Sequence, residues 1–442
     1  MTRLKFSLVA LFAVLSGFWL YADPIFTSEL AFQPVRNALI NYTGILGIAA
    51  MSAAMLLAVR PVVAERYFDG LDKMYRLHKW LGIAGLSMAV THWLLVNAPK
   101  WATQWGLMER RPRGPRIEPT DPVEAFLHGL RGIAEGLGEW TFYIAAAIMV
   151  VALVKLVPYR WFQRTHVWLP VAYLVLVFHA VVLMKFSYWS TPLGPVMALI
   201  LTAGSIAALI SLFSRIGRAR RTTGVVEDVT HHSENRVLQV TVKLAGRWLG
   251  HNAGQFAFVT FDQKEGAHPF TIVSAWKGDG RITFLIKGLG DYTQRLPQTL
   301  HAGMPVTVEG PYGRFDFSTK EPRQVWVAGG IGITPFIARI DELAKHPDGK
   351  AIDLFYATAA PDQSFVPALR QRAEAAGVNL SVINSPRDGF LTAAAIIQKV
   401  PQWKDATFWF CGPSQFGETL KRDLLAGGLA GSAFHQEYFE FR

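Results

Sequence analysis

A single cysteine, Cys411, among 442 residues excludes any disulfide within the chain and any iron–sulfur cluster held on cysteine ligands. Redox chemistry, where there is any, must rest on other groups. No apolar run long enough to cross a bilayer follows Arg215, so membrane helices are confined to the first half. Internal repeats and low-complexity tracts are absent as well, which removes solenoids and disordered tails from consideration.

What is present is apolar: 51% of residues are hydrophobic and the mean hydropathy is +0.23. That is too apolar for an ordinary soluble chain, yet the charge and glycine content are too high for a membrane protein throughout, so two regimes are expected. Stretches able to span a bilayer lie near residues 5–22, 38–59, 77–97, 140–158, 166–186 and 193–214. The net charge of +11 does not point to nucleic acid, because much of it flanks these spans: Arg3 and Lys5, Arg60 and Arg66, Lys73 and Arg76, Arg160 and Arg164, then Arg215, Arg218, Arg220 and Arg221. The positive-inside rule then places alternate loops, both termini and the whole second half in the cytoplasm of a multi-pass inner (plasma) membrane protein. The expected outer loop, 97–139, carries Arg110, Arg111, Arg113 and Arg116 but also six acidic residues, and long loops translocate largely regardless of charge. The first span, with its basic start, also reads as a secretory signal, against which stand its length and the lack of an A-x-A site.

Two pairs of histidines sit inside these apolar helices, His78 with His92 fourteen residues on, and His166 with His179 thirteen residues on. Intramembrane histidine is expensive and marks function. At about 1.5 Å per residue each pair separates its imidazoles by roughly 20 Å along the axis, room for two stacked haems. With the third and fifth spans both running outward, His78 faces His166 near the cytoplasm and His92 faces His179 near the outer surface. Fourteen residues return to nearly the same helix face, whereas thirteen leave His166 and His179 roughly 140° apart. A distortion at Pro170 is therefore expected. His128 in the outer loop has no partner and reads as surface.

From Thr222 the pattern changes to short β-rich runs at 224–229, 237–244, 255–261, 270–275, 281–286 and 305–308, which suggest a small antiparallel barrel. From about Lys320, strands at 325–328, 351–356, 380–383 and 407–410 alternate with helical patterns, as in a parallel α/β domain of nucleotide-binding type. The expected architecture is multidomain: a six-helix transmembrane bundle with room for haem over 1–215, an antiparallel β-barrel domain over 216–319 and a parallel-sheet α/β domain of nucleotide-binding type over 320–442.

The barrel holds His268-Pro269-Phe270-Thr271 and Gly290-Asp291-Tyr292-Thr293, residues able to stack on a flat aromatic cofactor and donate to its ring edge and phosphates. Gly329-Gly330-Ile331-Gly332-Ile333-Thr334-Pro335 follows a strand and opens a helix, where backbone N–H groups approach a pyrophosphate, although it is not G-x-G-x-x-G. Cys411-Gly412-Pro413 ends a later strand, at the carboxyl edge where α/β sheets bind ligands.

Together these residues resemble the ferredoxin-reductase type of flavin domain, and with the histidine pairs the chain resembles the NADPH oxidase and ferric reductase superfamily over nearly its whole length. The resemblance implies that His78, His92, His166 and His179 ligate two b-type haems. It implies that His268, Pro269, Phe270, Thr271, Lys287 and Thr293 bind FAD, and that Gly329, Gly330, Gly332, Thr334, Pro335, Cys411, Gly412 and Pro413 bind the nicotinamide nucleotide. Phe439, or alternatively Phe441, would cover the flavin ring; with Cys411, Thr271 and Arg36 these form the expected catalytic set. The implied route runs from NADH or NADPH through FAD, the inner and the outer haem to an acceptor beyond the membrane. The donor stays open because Tyr356-Ala357-Thr358-Ala359-Ala360-Pro361 lacks the basic residue that NADPH-selective relatives place there; Arg387 is either its substitute or a solvated turn residue. The acceptor is O2 giving superoxide, a ferric chelate, or a periplasmic redox partner on the outer loop. Some similar oxidases carry a further histidine one turn beyond the outer ligand, where this chain has Val96, while Arg36 at the outer start of the second span could hold an anion. No calcium-binding helix–loop–helix is present, so any oxidase activity is expected to be constitutive.

Overall fold

The computed structural model describes residues 2–24, 31–109, 119–154, 156–213 and 216–437. The chain divides into two compact units, one of Met1–Phe68 with Lys73–Ile216, the other chiefly Gly217–Glu440. The expected Arg110 to Arg116 cluster and both C-terminal phenylalanines, Phe439 and Phe441, lie outside the described residues.

The first unit contains α1 (Thr2–Ala22), α2 (Phe32–Ala58), α3 (Val62–Tyr67), α4 (Leu71–Gln104), α5 (Pro122–Leu153), α6 (Tyr159–His166), α7 (Leu169–Leu183) and α8 (Leu193–Leu212). Six stretches among the described residues are long and apolar enough to cross a membrane, with α6 and α7 jointly forming the fifth. The expected loop 97–139 needs correction: α4 continues to Gln104 and α5 begins at Pro122. Asp121 caps that start by accepting from the N–H groups of Val123 and Glu124 at 2.8 and 3.0 Å, and Pro122 suits the first helical position. Charged residues such as Arg131 and Glu135, an ion pair at 2.9 Å, interrupt the apolar run without interrupting the helix. Both helices are about 50 Å long, well beyond a hydrocarbon core of about 30 Å.

The bundle core is built from Leu15 and Trp19 of α1, Ile45, Ile48 and Ala49 of α2, Tyr173 of α7, and Met197 and Leu201 of α8. Tyr173 is fully buried, and its hydroxyl shares a hydrogen bond of 2.8 Å with Ser52, which donates to the Ile48 carbonyl. Gly204 makes room for that hydroxyl, since a Cβ there would overlap it. Polar groups at this depth need protein partners, so the pair ties α2 to α7.

The second unit has an antiparallel sheet of β1 (Arg221–His232), β2 (Val237–Leu244), β3 (Phe256–Thr260), β4 (His268–Thr271), β5 (Arg281–Lys287) and β6 (Pro305–Tyr312), with α9 (Asp291–Thr299) before β6. Its order is β4-β3-β6-β1-β2-β5. The expected barrel is not closed by a ladder; β4 and β5 meet through an isolated bridge between Ile272 and Phe284 and a bond from the Val273 N–H to the Thr283 carbonyl at 2.9 Å. Pro269 lacks an N–H and keeps β4 short and at an edge.

A parallel sheet follows, of β7 (Arg323–Gly329), β8 (Ala351–Thr358), β9 (Val378–Asn384), β10 (Ala406–Cys411) and β11 (Phe434–Gln436), ordered β11-β10-β7-β8-β9. Its helices are α10 (Thr334–Leu343), α11 (Phe365–Ala375), α12 (Ser385–Asp388), α13 (Ala393–Lys399) and α14 (Ser414–Ala426). β11 was not expected from sequence, being only three residues long. Phe315 and Phe317 pack with Trp326, Phe336 and Trp409, so the two sheets share a core across the expected boundary near residue 320.

Replacing Tyr173 by Phe is expected to cost about 1 kcal/mol, because Ser52 keeps its bond to Ile48. Thermal unfolding in detergent measures it, and an unchanged melting temperature would remove the assigned role of the bond.

Candidate functional site

In the membrane unit the four histidines meet as two pairs. The His78 and His166 ring centroids are 6.0 Å apart with planes at 65°, and those of His92 and His179 are 6.3 Å apart at 75°. Two imidazoles on opposite sides of one metal, each with its nitrogen about 2 Å away, put their centroids about 6 Å apart. Among the described residues no group of three or more His, Cys, Asp or Glu side chains converges on a metal position. A metal at either pair would need its remaining ligands from outside these side chains, and two facing imidazoles at this spacing fit the two open positions of a haem.

Backbone carbonyls orient three of the rings. Nδ1 of His78 lies 2.9 Å from the Ala54 carbonyl, Nδ1 of His92 2.9 Å from Ile40, and Nδ1 of His179 2.8 Å from Ala134. A carbonyl only accepts, so each Nδ1 carries the proton and each Nε2 keeps a lone pair for a metal. Ile40 and Ala54 are fourteen residues apart on α2, matching the spacing of His78 and His92 on α4. Gly138 lies against His179, and a Cβ there would overlap the imidazole.

The expected distortion near Pro170 is a break. α6 ends at His166, Val167 and Trp168 turn, and α7 starts at Leu169 with Pro170 in its first turn. The break turns His166 and His179, which an ideal helix would hold roughly 140° apart, toward a common partner helix.

Arg36 is half-buried and occupied. Its Nε donates to the Leu95 carbonyl at 2.8 Å and Nη2 to Val96 at 3.2 Å. Pro99 lies inside α4 and has no N–H for the carbonyl four residues earlier, which is that of Leu95. Arg36 thus supplies the missing donor, three residues from His92. His128 is exposed on α5.

In the second unit, His268 to Thr271 form the edge strand β4, paired with β3 on one side. The His268 ring stacks on Tyr292 at 4.4 Å and 22°, and Thr271 is buried. The Tyr292 hydroxyl is buried without a hydrogen-bond partner, and burial pushes its pKa up to about 12, so a neutral donor waits beside the strand. This orphaned donor, next to an aromatic stack and the N-terminus of α9, fits a flat cofactor bearing phosphates. Thr293 Oγ1 instead receives the N–H groups of Leu289 and Gly290 at 3.0 and 3.1 Å and shapes the turn. Lys287 ends β5.

The glycine turn and Cys411-Gly412-Pro413 form one structure at the carboxyl edges of β7 and β10, where Ala328 is level with Cys411. A Cβ on Gly332 would overlap the Cys411 carbonyl, and one on Gly329 would lie 2.8 Å from Pro413 Cδ. Gly330 has φ +57° and open space around it, so its backbone is open to close approach by a ligand. Thr334 and Pro335 are buried at the start of α10. The Cys411 thiol is fully buried, and burial pushes its pKa well up, so it is no ready nucleophile. Just past β8, where a basic residue would read a 2′-phosphate, stands Asp362, which accepts from Ser364, Phe365 and Asn235. Arg387 is exposed and paired with Asp388 at 2.7 Å.

Residues 43–177 match the family described as ferric reductase like transmembrane component, and residues 225–316 match an FAD-binding domain. The first match contains His78, His92 and His166. A flavohemoprotein from Oceanobacillus iheyensis is 22% identical over 165 residues, 34% of this chain and 40% of that protein. Ferric reduction oxidase 4 of Arabidopsis thaliana is 36% identical over 92 residues, 20% of this chain and 13% of that one. The flavohem-like FAD/NAD binding domain of nitric oxide dioxygenase from Vibrio cholerae is 23% identical with a TM-score of 0.43, covering 49% of this chain and 97% of that one. The chain spans half or less of the length of the first curated relatives it matches. It joins a ferric-reductase-like transmembrane component to an FAD-binding domain, both of oxidoreductase type.

Two variants of the glycine turn separate packing from binding. Gly332→Ala is expected to destabilise by several kcal/mol, since backbone must move. Gly330→Ala, straining only its own φ by about 1–2 kcal/mol, should fold and weaken NADH binding, read by titration of flavin reduction. Arg36→Ala should lower the melting temperature by leaving the Leu95 carbonyl unpaired, at a cost of about 1–3 kcal/mol; unchanged stability with lost turnover would instead make Arg36 catalytic.

Proposed function

We propose that the protein is a transmembrane oxidoreductase that passes electrons from cytoplasmic NAD(P)H through FAD and two b-type haems to an acceptor on the outer face, with O2 giving superoxide as the favoured product. The observation that carries this reading is the pair of facing imidazole sets with ring centroids 6.0 and 6.3 Å apart. The flavin, when bound, takes a hydride as an electron pair and gives up single electrons, which haem iron accepts one at a time. His78 and His166 would hold the inner haem, and His92 and His179 the outer one. The carbonyls of Ala54, Ile40 and Ala134 keep their ligands in the metal-binding tautomer. His268, Tyr292 and Thr271 would receive the flavin, with Phe439 or Phe441 over its ring. The edge formed by Gly330 and Gly412 would receive the nucleotide.

The segment just past β8 offers no basic residue to meet a 2′-phosphate, and the buried Asp362 there is taken up by Ser364, Phe365 and Asn235, which favours NADH as the donor. The flanking Lys and Arg residues support a reading in which both termini and the FAD and nucleotide domains lie on the cytoplasmic side of the inner (plasma) membrane.

A ferric-chelate acceptor is the second reading, favoured by the likeness to ferric reduction oxidase 4 and by Val96 at the position where some similar oxidases carry histidine. A periplasmic protein acceptor is the third; the α4 and α5 extensions give it a surface. Purified protein given NADH and O2 alone separates them. NADH consumption with dye reduction abolished by superoxide dismutase supports the oxidase, whereas silence until a ferric chelate is added supports the reductase. In either case His92→Ala should stop reduction of the outer acceptor while NADH still reduces the flavin; continued outer reduction would refute the route.

A further inference from the structure

Three of the four histidines are held twice, by a long helix and by a carbonyl on a neighbouring helix. His78 and His92 stand inside the 34-residue α4, and His179 stands inside the 15-residue α7. Each has Nδ1 within 2.9 Å of a carbonyl oxygen. His166 has neither support. It is the last residue of the eight-residue α6, immediately before the turn at Val167 and Trp168, and both turn residues are exposed. Its Nδ1 is buried and has no hydrogen-bond partner. Its ring contacts are His78 at 6.0 Å and Phe162 at 5.0 Å between centroids.

A ligand imidazole whose N–H is held by a carbonyl is fixed in orientation and made a stronger donor to the metal. A ligand without that bond keeps a buried N–H unsatisfied, a standing cost that any turn toward a partner or water would relieve. A helix end also moves more freely than a helix interior. Both effects weaken the same ligand, and nothing comparable acts on the outer pair.

We infer that His166 is the displaceable ligand of the four, so that the inner site is an exchangeable position open to a small neutral ligand while the outer site is closed. This rests on the reading of the four histidines as haem ligands. The exchange is a simple substitution: the His166 Nε2–iron bond breaks, the incoming lone pair forms the new bond, and no electron changes hands.

Carbon monoxide titrated into the dithionite-reduced holoprotein in detergent tests it. The expected result is a Soret shift in one haem of the two, with the other unaffected. Binding to neither haem, or to both alike, overturns the inference. The double variant His92→Leu/His179→Leu, left with the inner haem, should bind carbon monoxide. His78→Leu/His166→Leu, left with the outer haem, should not, and the reverse pattern also overturns it. Should one double variant fail to fold, the other still assigns the site, since carbon monoxide binding by the inner haem alone supports the inference and binding by the outer haem alone overturns it. Absence of any Soret band would defeat the haem reading itself, a different failure from two haems that behave alike.

Discussion

Four imidazoles inside an apolar bundle are the constraint on which the membrane unit turns. A polar ring at that depth has no water to satisfy it. The bundle answers by aiming backbone carbonyls of α2 and α5 at three of the rings and by facing the rings in pairs. Much else in this unit follows from that arrangement. Ile40 and Ala54 repeat on α2 at the interval that His78 and His92 keep on α4, so one antiparallel contact serves two levels. Gly138 is small because His179 lies against it. The chain breaks after His166 because thirteen residues of unbroken helix would turn the second pair apart. Arg36 repairs the carbonyl that Pro99 frees, close to His92.

The second unit follows a different logic. Here glycines let backbones meet, and the two glycine motifs prove to be one contact between neighbouring strand ends. The packing role of Gly329 and Gly332 leaves Gly330 as the position with room for a ligand. The shared aromatic core of Phe315, Phe317, Phe336 and Trp409 makes the flavin-type and nucleotide-type sheets a single body, which suits a hydride passed directly between two cofactors.

Periodicity made the six spans, the antiparallel strands and the alternating strands and helices legible, because burial imposes a period on sequence. The histidine pairing was legible for a similar reason, as was the need for a distortion beside Pro170. What escaped was held by main chain or by absent side chains. The carbonyls of Ile40, Ala54 and Ala134 are invisible in a sequence, and Gly138 looks like Gly129, Gly132 and Gly136, where an added Cβ would meet nothing. The extension of α4 was hidden by Pro99 and that of α5 by its charges, and β11 by its length. Arg36 was legible as important but not as a helix repair, since that role depends on where α4 passes. Barrel closure failed for a local reason, the proline inside β4.

The central claim is that each imidazole pair holds a haem. Counting haem b per chain in the purified protein by the pyridine haemochrome spectrum tests it most directly. Two per chain are expected, with His78→Leu/His166→Leu and His92→Leu/His179→Leu each retaining one. No haem in the intact protein, or a count that the histidine substitutions leave unchanged, would contradict it.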